Sequence, residues 1–246
     1  MQESCADFGA FRIIPAYLRK RCPLKLRKLG DKAGRRILEG PSAKKKQAGA
    51  NNSARLLPAR RTSRTVTHVM HRLFIALRPP APMRAQLLGL MGGVAGARWQ
   101  DDGQLHVTLK YIGEVDSHRA EDIAAALAGV NAPALYLALD GIGTFSKKGL
   151  VHTLWSGITP HGAVTALHHK VDQACIRAGI APEARAFEPH ITIARANRAT
   201  GPLDAFIATH GGLASPPALF DHFLLYESHM GQGGSFYEPV ARYPLG

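Results

Sequence analysis

Apolar and polar positions fall into regular patterns only from about residue 72 onward. Residues 72–77 carry the continuous run Leu73-Phe74-Ile75-Ala76-Leu77, expected of a buried strand, and Pro79-Pro80 closes it. Residues 82–92 place Met83, Leu87, Leu88 and Leu90 at helical spacing, and Gly92-Gly93 ends that helix. A strand is predicted over 106–112. Asp116 or Ser117 then caps a helix that runs through Leu127 and stops near Gly129. Strands over 135–139 and 151–158 are joined across the glycine-bearing stretch 141–149. The long amphipathic helix 159–178 gathers Val164, Leu167, Val171 and Cys175 on one face, with Gly179 at its end. A strand over 190–194 and a short helix over 202–209 follow. Strands 220–227 and 236–243 are joined by the glycine-rich stretch 230–234 and read as a hairpin. Strands and helices mix without strict β-α-β alternation, so the fold class is α+β with a mainly antiparallel sheet.

Within this pattern one element recurs. His106-Val107-Thr108-Leu109 and His190-Ile191-Thr192-Ile193 share the form His-apolar-Thr-apolar, 84 residues apart, each in a predicted strand. Two similar halves related by an approximate two-fold axis would account for it. Side chains alternate faces along a strand. His106 and Thr108 therefore share one face, and Val107 and Leu109 the other; the second copy repeats this. With the apolar faces buried under helices, the two strands can line one cleft with two imidazoles and two hydroxyls.

The composition changes the picture in three ways. The chain has 246 residues, 46% of them hydrophobic, enough for one or two globular domains. Its longest apolar run, 87–97, is about eleven residues and glycine-rich, against the roughly twenty that a spanning helix needs, so no membrane segment is expected. Cys5, Cys22 and Cys175 form no CxxC pair, zinc pattern or disulfide framework, and a reducing cytoplasm is the expected compartment. The net charge of +13 is uneven. Residues 1–70 hold 17 Lys+Arg against 4 Asp+Glu, and residues 71–246 hold 14 of each. The basic character belongs to the N-terminal segment, which lacks clean periodicity. It reads as a nucleic-acid-binding arm, an Arg-rich transit peptide, or a disordered extension upstream of a start at Met70. The last is favoured, because a chain beginning at Met70 loses nothing that looks folded. The expected division is a basic extension over 1–69 and a folded domain over 70–246.

The recurring strand suits phosphoryl chemistry without a metal. Histidine has an ordinary pKa near 6.5, so one imidazole can take a proton from water while the other, as imidazolium, protonates the departing oxygen. The hydroxyls of Thr108 and Thr192 can donate to phosphate oxygens, and Arg195, five residues after His190, adds a fixed positive charge. A zinc reading lacks a third ligand at sensible spacing. His168-His169 is expected to be exposed on the long helix, and the remaining histidines to be structural or superficial. Gly141-Ile142-Gly143 lacks the third glycine of a dinucleotide fingerprint and reads as a turn. Pro189 sets the backbone entering the second motif, a role that can be purely structural. The neutral folded region offers no basic stripe for long RNA. It favours contact with one or a few nucleotides at an end, with Lys110, Lys147, Lys148 and Arg195 as a local patch.

The run Arg72-Leu73-Phe74-Ile75-Ala76, the two motifs continuing as Lys110-Tyr111-Ile112-Gly113-Glu114-Val115 and Ala194-Arg195, and Leu139-Asp140-Gly141-Ile142-Gly143-Thr144-Phe145 lie in an order that resembles a known family. So do Leu154-Trp155, Tyr226-Glu227-Ser228, and Tyr237-Glu238-Pro239-Val240. The chain from about 72 to 245 is similar to the RNA 2′,3′-cyclic phosphodiesterases, the 2′-5′ RNA ligase-like branch of the two-histidine (2H) phosphoesterases. The resemblance implies a bilobal fold in which each lobe gives one His-x-Thr strand to a central cleft. It implies hydrolysis of RNA 2′,3′-cyclic phosphate ends to 2′-phosphates, with 2′-5′ ligation as the reverse-type reaction. By that analogy His106 is the proton donor and His190 the proton acceptor, though nothing in the sequence forbids the exchange of roles. Thr108, Thr192 and Arg195 would hold the phosphate. Tyr111 would touch the nucleotide or pack beside the cleft. No cofactor or metal, no membrane and a monomer are expected. Small cyclic phosphates as substrates, or a non-catalytic RNA- or nucleotide-binding module, are the alternatives.

Overall fold

The computed structural model describes residues 69–231 and 234–246. The extension expected over 1–69 lies, up to residue 68, outside the described residues. Along the described chain run β1 (Met70–Leu77), α1 (Ala81–Leu90), β2 (Arg98–Trp99), a 3₁₀ turn (Asp102–Gln104), β3 (Val107–Asp116) and α2 (Ser117–Leu127). They are followed by β4 (Leu135–Lys147), β5 (Leu150–Thr159), α3 (His161–Arg177), β6 (His190–Arg195), α4 (Asp204–His210), β7 (Ala218–Phe220), β8 (His222–Gly231) and β9 (Gly234–Pro244). The strands pair antiparallel in the order β7-β4-β5-β6-β3-β1-β8-β9, with β2 beside β6. The fold is α+β, as the patterning predicts.

The two halves are present. The unit β1-α1-β3-α2 recurs as β5-α3-β6-α4, and each half sets four strands side by side. Their central strands β3 and β6 pair at a single residue pair, Val107 opposite Ile191. These are the second residues of the two motifs, so the approximate two-fold passes between them. The halves share one hydrophobic core, in which Val107, Ile191, Leu154, Ile75, Val164 and Leu225 belong to the same cluster. Asp116 caps α2 by accepting from the Arg119 amide at 2.8 Å.

Three expectations need correction. The stretch expected to be a turn from Gly141 is part of β4, and the hairpin turns only at Lys148-Gly149. Gly141 occupies the left-handed region at φ 71° where the β4–β5 register shifts, and its amide donates to the Leu213 carbonyl at 2.7 Å. A glycine-bearing bulge looks like a turn in sequence because both need the same backbone freedom. His168 is buried rather than exposed; its Nδ1 bonds the Leu109 carbonyl at 2.6 Å and its ring stacks on Phe187. Lys110 leaves the expected basic patch. It is 4% exposed and its Nζ lies 2.6 Å from Asp172. The strands β2 and β7, of two and three residues, are too short to show a period.

Candidate active site

The pairing of Val107 with Ile191 runs antiparallel, so it draws His106 toward Thr192 and Thr108 toward His190 on the face opposite the core. Both strands then carry an irregularity at the same motif position. Against β1, Ala76 pairs with Thr108 but Ile75 with Lys110, which leaves Leu109 as an extra residue. Against β5, Trp155 pairs with Thr192 but Leu154 with Ala194, which leaves Ile193 extra. An extra residue reverses the alternation beyond it. Tyr111 and Arg195, each five residues after its histidine, return to the cleft face. Lys110 and Ala194, which strict alternation would place in the cleft, turn to the interior. Tyr111 and Arg195 are thus counterparts under the approximate two-fold.

The cleft has a volume of about 250 Å³ and is lined by His106, Thr108, Tyr111, Thr192 and Arg195, together with Arg72, Phe74, Gln100, Ser228, Ser235 and Tyr237. His190 is half-buried and is not among the lining residues, though its charge reaches His106. The five cleft-lining residues expected from sequence therefore converge, with the second imidazole beside them.

The imidazoles are held in the same way. His106 Nδ1 lies 2.6 Å from the Gln104 carbonyl, and His190 Nδ1 lies 2.7 Å from the Glu188 carbonyl, each two residues upstream. A carbonyl only accepts, so each Nδ1 must carry the proton. That fixes the tautomer and leaves each Nε2 free of any partner among the described residues. Each ring is also wedged by aromatics. His106 packs on Phe74 and Tyr237, with ring centres 5.0 and 5.3 Å away. His190 packs on Phe145 and Trp155, at 4.8 and 6.0 Å.

Electrostatics push both imidazoles toward neutrality. Burial lowers His106 from 6.5 to about 4; the Gln104 carbonyl opposes this, and the nearby His190 and Arg195 charges add to it. Burial also lowers His190, opposed by the Glu188 carbonyl and reinforced by Arg195. Arg195 is held by Thr153, its Nη1 lying 3.0 Å from the buried Oγ1. Arg72 is neutralised by Glu114 at 2.7 Å. Among the described residues no three His, Cys, Asp or Glu side chains group as metal ligands, and no helix is long and apolar enough to cross a membrane.

Several residues around the imidazoles carry no sequence signal of their role. Tyr237 reaches His106 because β8 pairs with β1 and β9 with β8, a contact made by segments far apart in the chain. Trp155 and Phe145 sit in the strands that flank His190. Their aromatic character is visible in the sequence, but the ring they support is not.

Known proteins resemble this chain in sequence and fold. A family model described as the 2′-5′ RNA ligase superfamily matches residues 94–232. A Geobacillus stearothermophilus protein named RNA 2′,3′-cyclic phosphodiesterase is 30% identical over 149 residues, covering 60% of this chain and 47% of that protein. The chain thus spans about half the length of that relative. An Escherichia coli protein of the same name is 29% identical over 186 residues, covering 71% of this chain and 96% of that protein. A crystal structure of E. coli LigT complexed with 3′-AMP superposes with a TM-score of 0.59 at 24% identity, covering 72% of this chain and 99% of that one. Two His-x-Thr strands meeting across one cleft, within a family match that spans more than half of the residues, show that the chain belongs to the 2′-5′ RNA ligase superfamily.

Proposed function

We propose that this chain opens the 2′,3′-cyclic phosphate at the 3′ end of RNA and leaves a 2′-phosphate. The observation that carries the reading is the matched pair of imidazoles, each with Nδ1 bound to a backbone carbonyl and Nε2 left for chemistry, beside Thr108, Thr192 and Arg195. The relatives named RNA 2′,3′-cyclic phosphodiesterase support the substrate. His190 Nε2 takes a proton from water, the water oxygen bonds to phosphorus, the P–O3′ bond breaks, and His106 Nε2 gives its proton to O3′. Thr108, Thr192 and Arg195 hold the non-bridging oxygens, and Tyr111 contacts the terminal nucleoside. Burial favours neutral imidazoles, but an anionic phosphate beside Nε2 favours the imidazolium, so the substrate itself helps to charge its acid. The 2′-5′ ligation reaction is the same exchange run with an RNA 5′-hydroxyl in place of water. The cleft is completed within one chain, so the catalytic unit is a monomer over 70–246. Its compartment is the cytoplasm, where the buried thiol of Cys175 stays reduced.

The test uses the full chain in EDTA on a short RNA ending in 2′,3′-cyclic phosphate. The expected product is a 2′-phosphate, and His106→Ala and His190→Ala should each lower the rate by about 10²–10⁴-fold. A 3′-phosphate product, loss of the rate in EDTA, or full activity in either variant overturns the reading.

A further inference from the structure

Arg98 of β2 lies directly opposite Arg195 of β6. Residues so opposed share a face, with Cβ atoms about 5 Å apart, and like charges there repel. The bulge at Ile193 turns Arg195 to the cleft, so Arg98 projects from the same side. Its neighbours agree: Gln100, two residues on, lines the cleft, while Trp99 turns away onto Phe206. Neither Arg98 nor Arg195 meets a carboxylate among the described residues. The other guanidiniums nearby do, Arg72 through Glu114 and Arg78 and Arg84 through Asp102. Arg98 is exposed and reaches the β8–β9 hairpin, where a Cβ built on Gly234 would lie 3.3 Å from its Nη1. The molecule therefore sets two arginines opposite one another on one face of β2 and β6, neither paired with a carboxylate among the described residues, beside a phosphate site.

A cyclic phosphodiester carries one negative charge, and Arg195 answers it. A second, adjacent anion would relieve the repulsion between the two arginines. The neighbouring recess of about 70 Å³ is lined by Asp101, Gln104 and Phe236 and offers no cation, so it does not compete for a phosphate. An RNA end supplies that anion as the phosphodiester joining its last two nucleotides; a nucleoside 2′,3′-cyclic phosphate has none. We infer that Arg98 binds the internucleotide phosphate next to the cyclic end, so that the substrate is a chain of at least two nucleotides. The inference rests on the proposed function and names the substrate class of that same cleft.

The test compares kcat/KM of the full chain on a nucleoside 2′,3′-cyclic phosphate and on a dinucleotide ending in 2′,3′-cyclic phosphate. A charged hydrogen bond of this kind is expected to favour the dinucleotide by about tenfold. Arg98→Gln should bring the ratio close to one, and Arg98→Lys should retain part of it. A methylphosphonate linkage in the dinucleotide, which removes the charge, should lower the wild-type ratio to that of Arg98→Gln and leave the variant's ratio unchanged. Arg98 is exposed, so all variants should melt with the wild type. A wild-type ratio near one, a preference that survives Arg98→Gln, or an equal loss on both substrates overturns the inference while leaving the proposed function standing. If the wild type opens neither substrate but opens the short RNA, the inference alone fails; if it opens none of the three, the proposed function fails and takes the inference with it.

Discussion

Gly143 is the position where one methyl group should reach the chemistry. A Cβ built there would lie 2.2 Å from Trp155 Cζ2, 2.3 Å from Cη2 and 2.7 Å from Cε2. Ordinary carbon contacts lie at about 3.5–4.0 Å, so in Gly143→Ala the indole must retreat by more than about 1 Å or the strands must part. The ring is poorly placed to retreat. It packs on Phe145 at 5.2 Å and beside His190 at 6.0 Å. Overpacking of this size costs about 1–3 kcal/mol, and in a domain of this length each kcal/mol lowers Tm by roughly 2–4 °C. Displacing a catalytic group by about 1 Å costs roughly 10²-fold in rate. Gly143→Ala should therefore melt lower and lose on the order of 10²-fold in kcat/KM on the cyclic-phosphate RNA. Gly162→Ala, in α3 with nothing within 4 Å of the new methyl, serves as control and should match or exceed wild-type stability. Trp155→Phe removes the atoms that clash, so the double variant should regain stability relative to Gly143→Ala, a coupling read by a double-mutant cycle. A Gly143→Ala protein with wild-type Tm and wild-type kcat/KM would falsify the placement of Trp155 as the support of His190.

The remaining expectations concern protons and buried charge. His106 sits at about 4 and His190 below 6.5 in the free protein. The reaction needs one imidazole charged and one neutral, so the bell in kcat/KM, which reports free enzyme, should be centred below pH 6.5. A bound phosphate should shift the kcat profile upward. Rates measured from pH 4 to 9 check this, and a kcat/KM optimum above pH 7 contradicts it. Lys110 and Asp172 form a buried pair at 2.6 Å, with Lys110 also donating to the Ala181 carbonyl at 2.9 Å. Asp172→Ala leaves the ammonium uncompensated and should cost about 3–5 kcal/mol. Lys110→Met with Asp172→Leu should restore much of that loss in denaturant unfolding.

What the sequence determined is the part governed by local period and local chemistry. The run at Leu73–Leu77, the Asp116 cap, the helix gathering Val164, Leu167 and Val171, and the C-terminal hairpin each follow from short-range patterning. So does the pairing of a histidine with a threonine on one strand face, twice over, which carried both the two-fold halves and the cleft. What only the tertiary structure decided is where that pattern breaks. A one-residue bulge in each motif strand reverses the faces beyond it, which puts Tyr111 and Arg195 in the cleft and sends Lys110 into the interior. The period of two read from Val107 and Leu109 predicts the opposite, because the register shift depends on the partner strands β1 and β5 and leaves no local mark. The same holds for Tyr237 against His106, for Trp155 seated on Gly143, and for Arg98 set opposite Arg195. Each is a contact between segments separated in the chain, fixed by strand order and register rather than by any neighbouring residue.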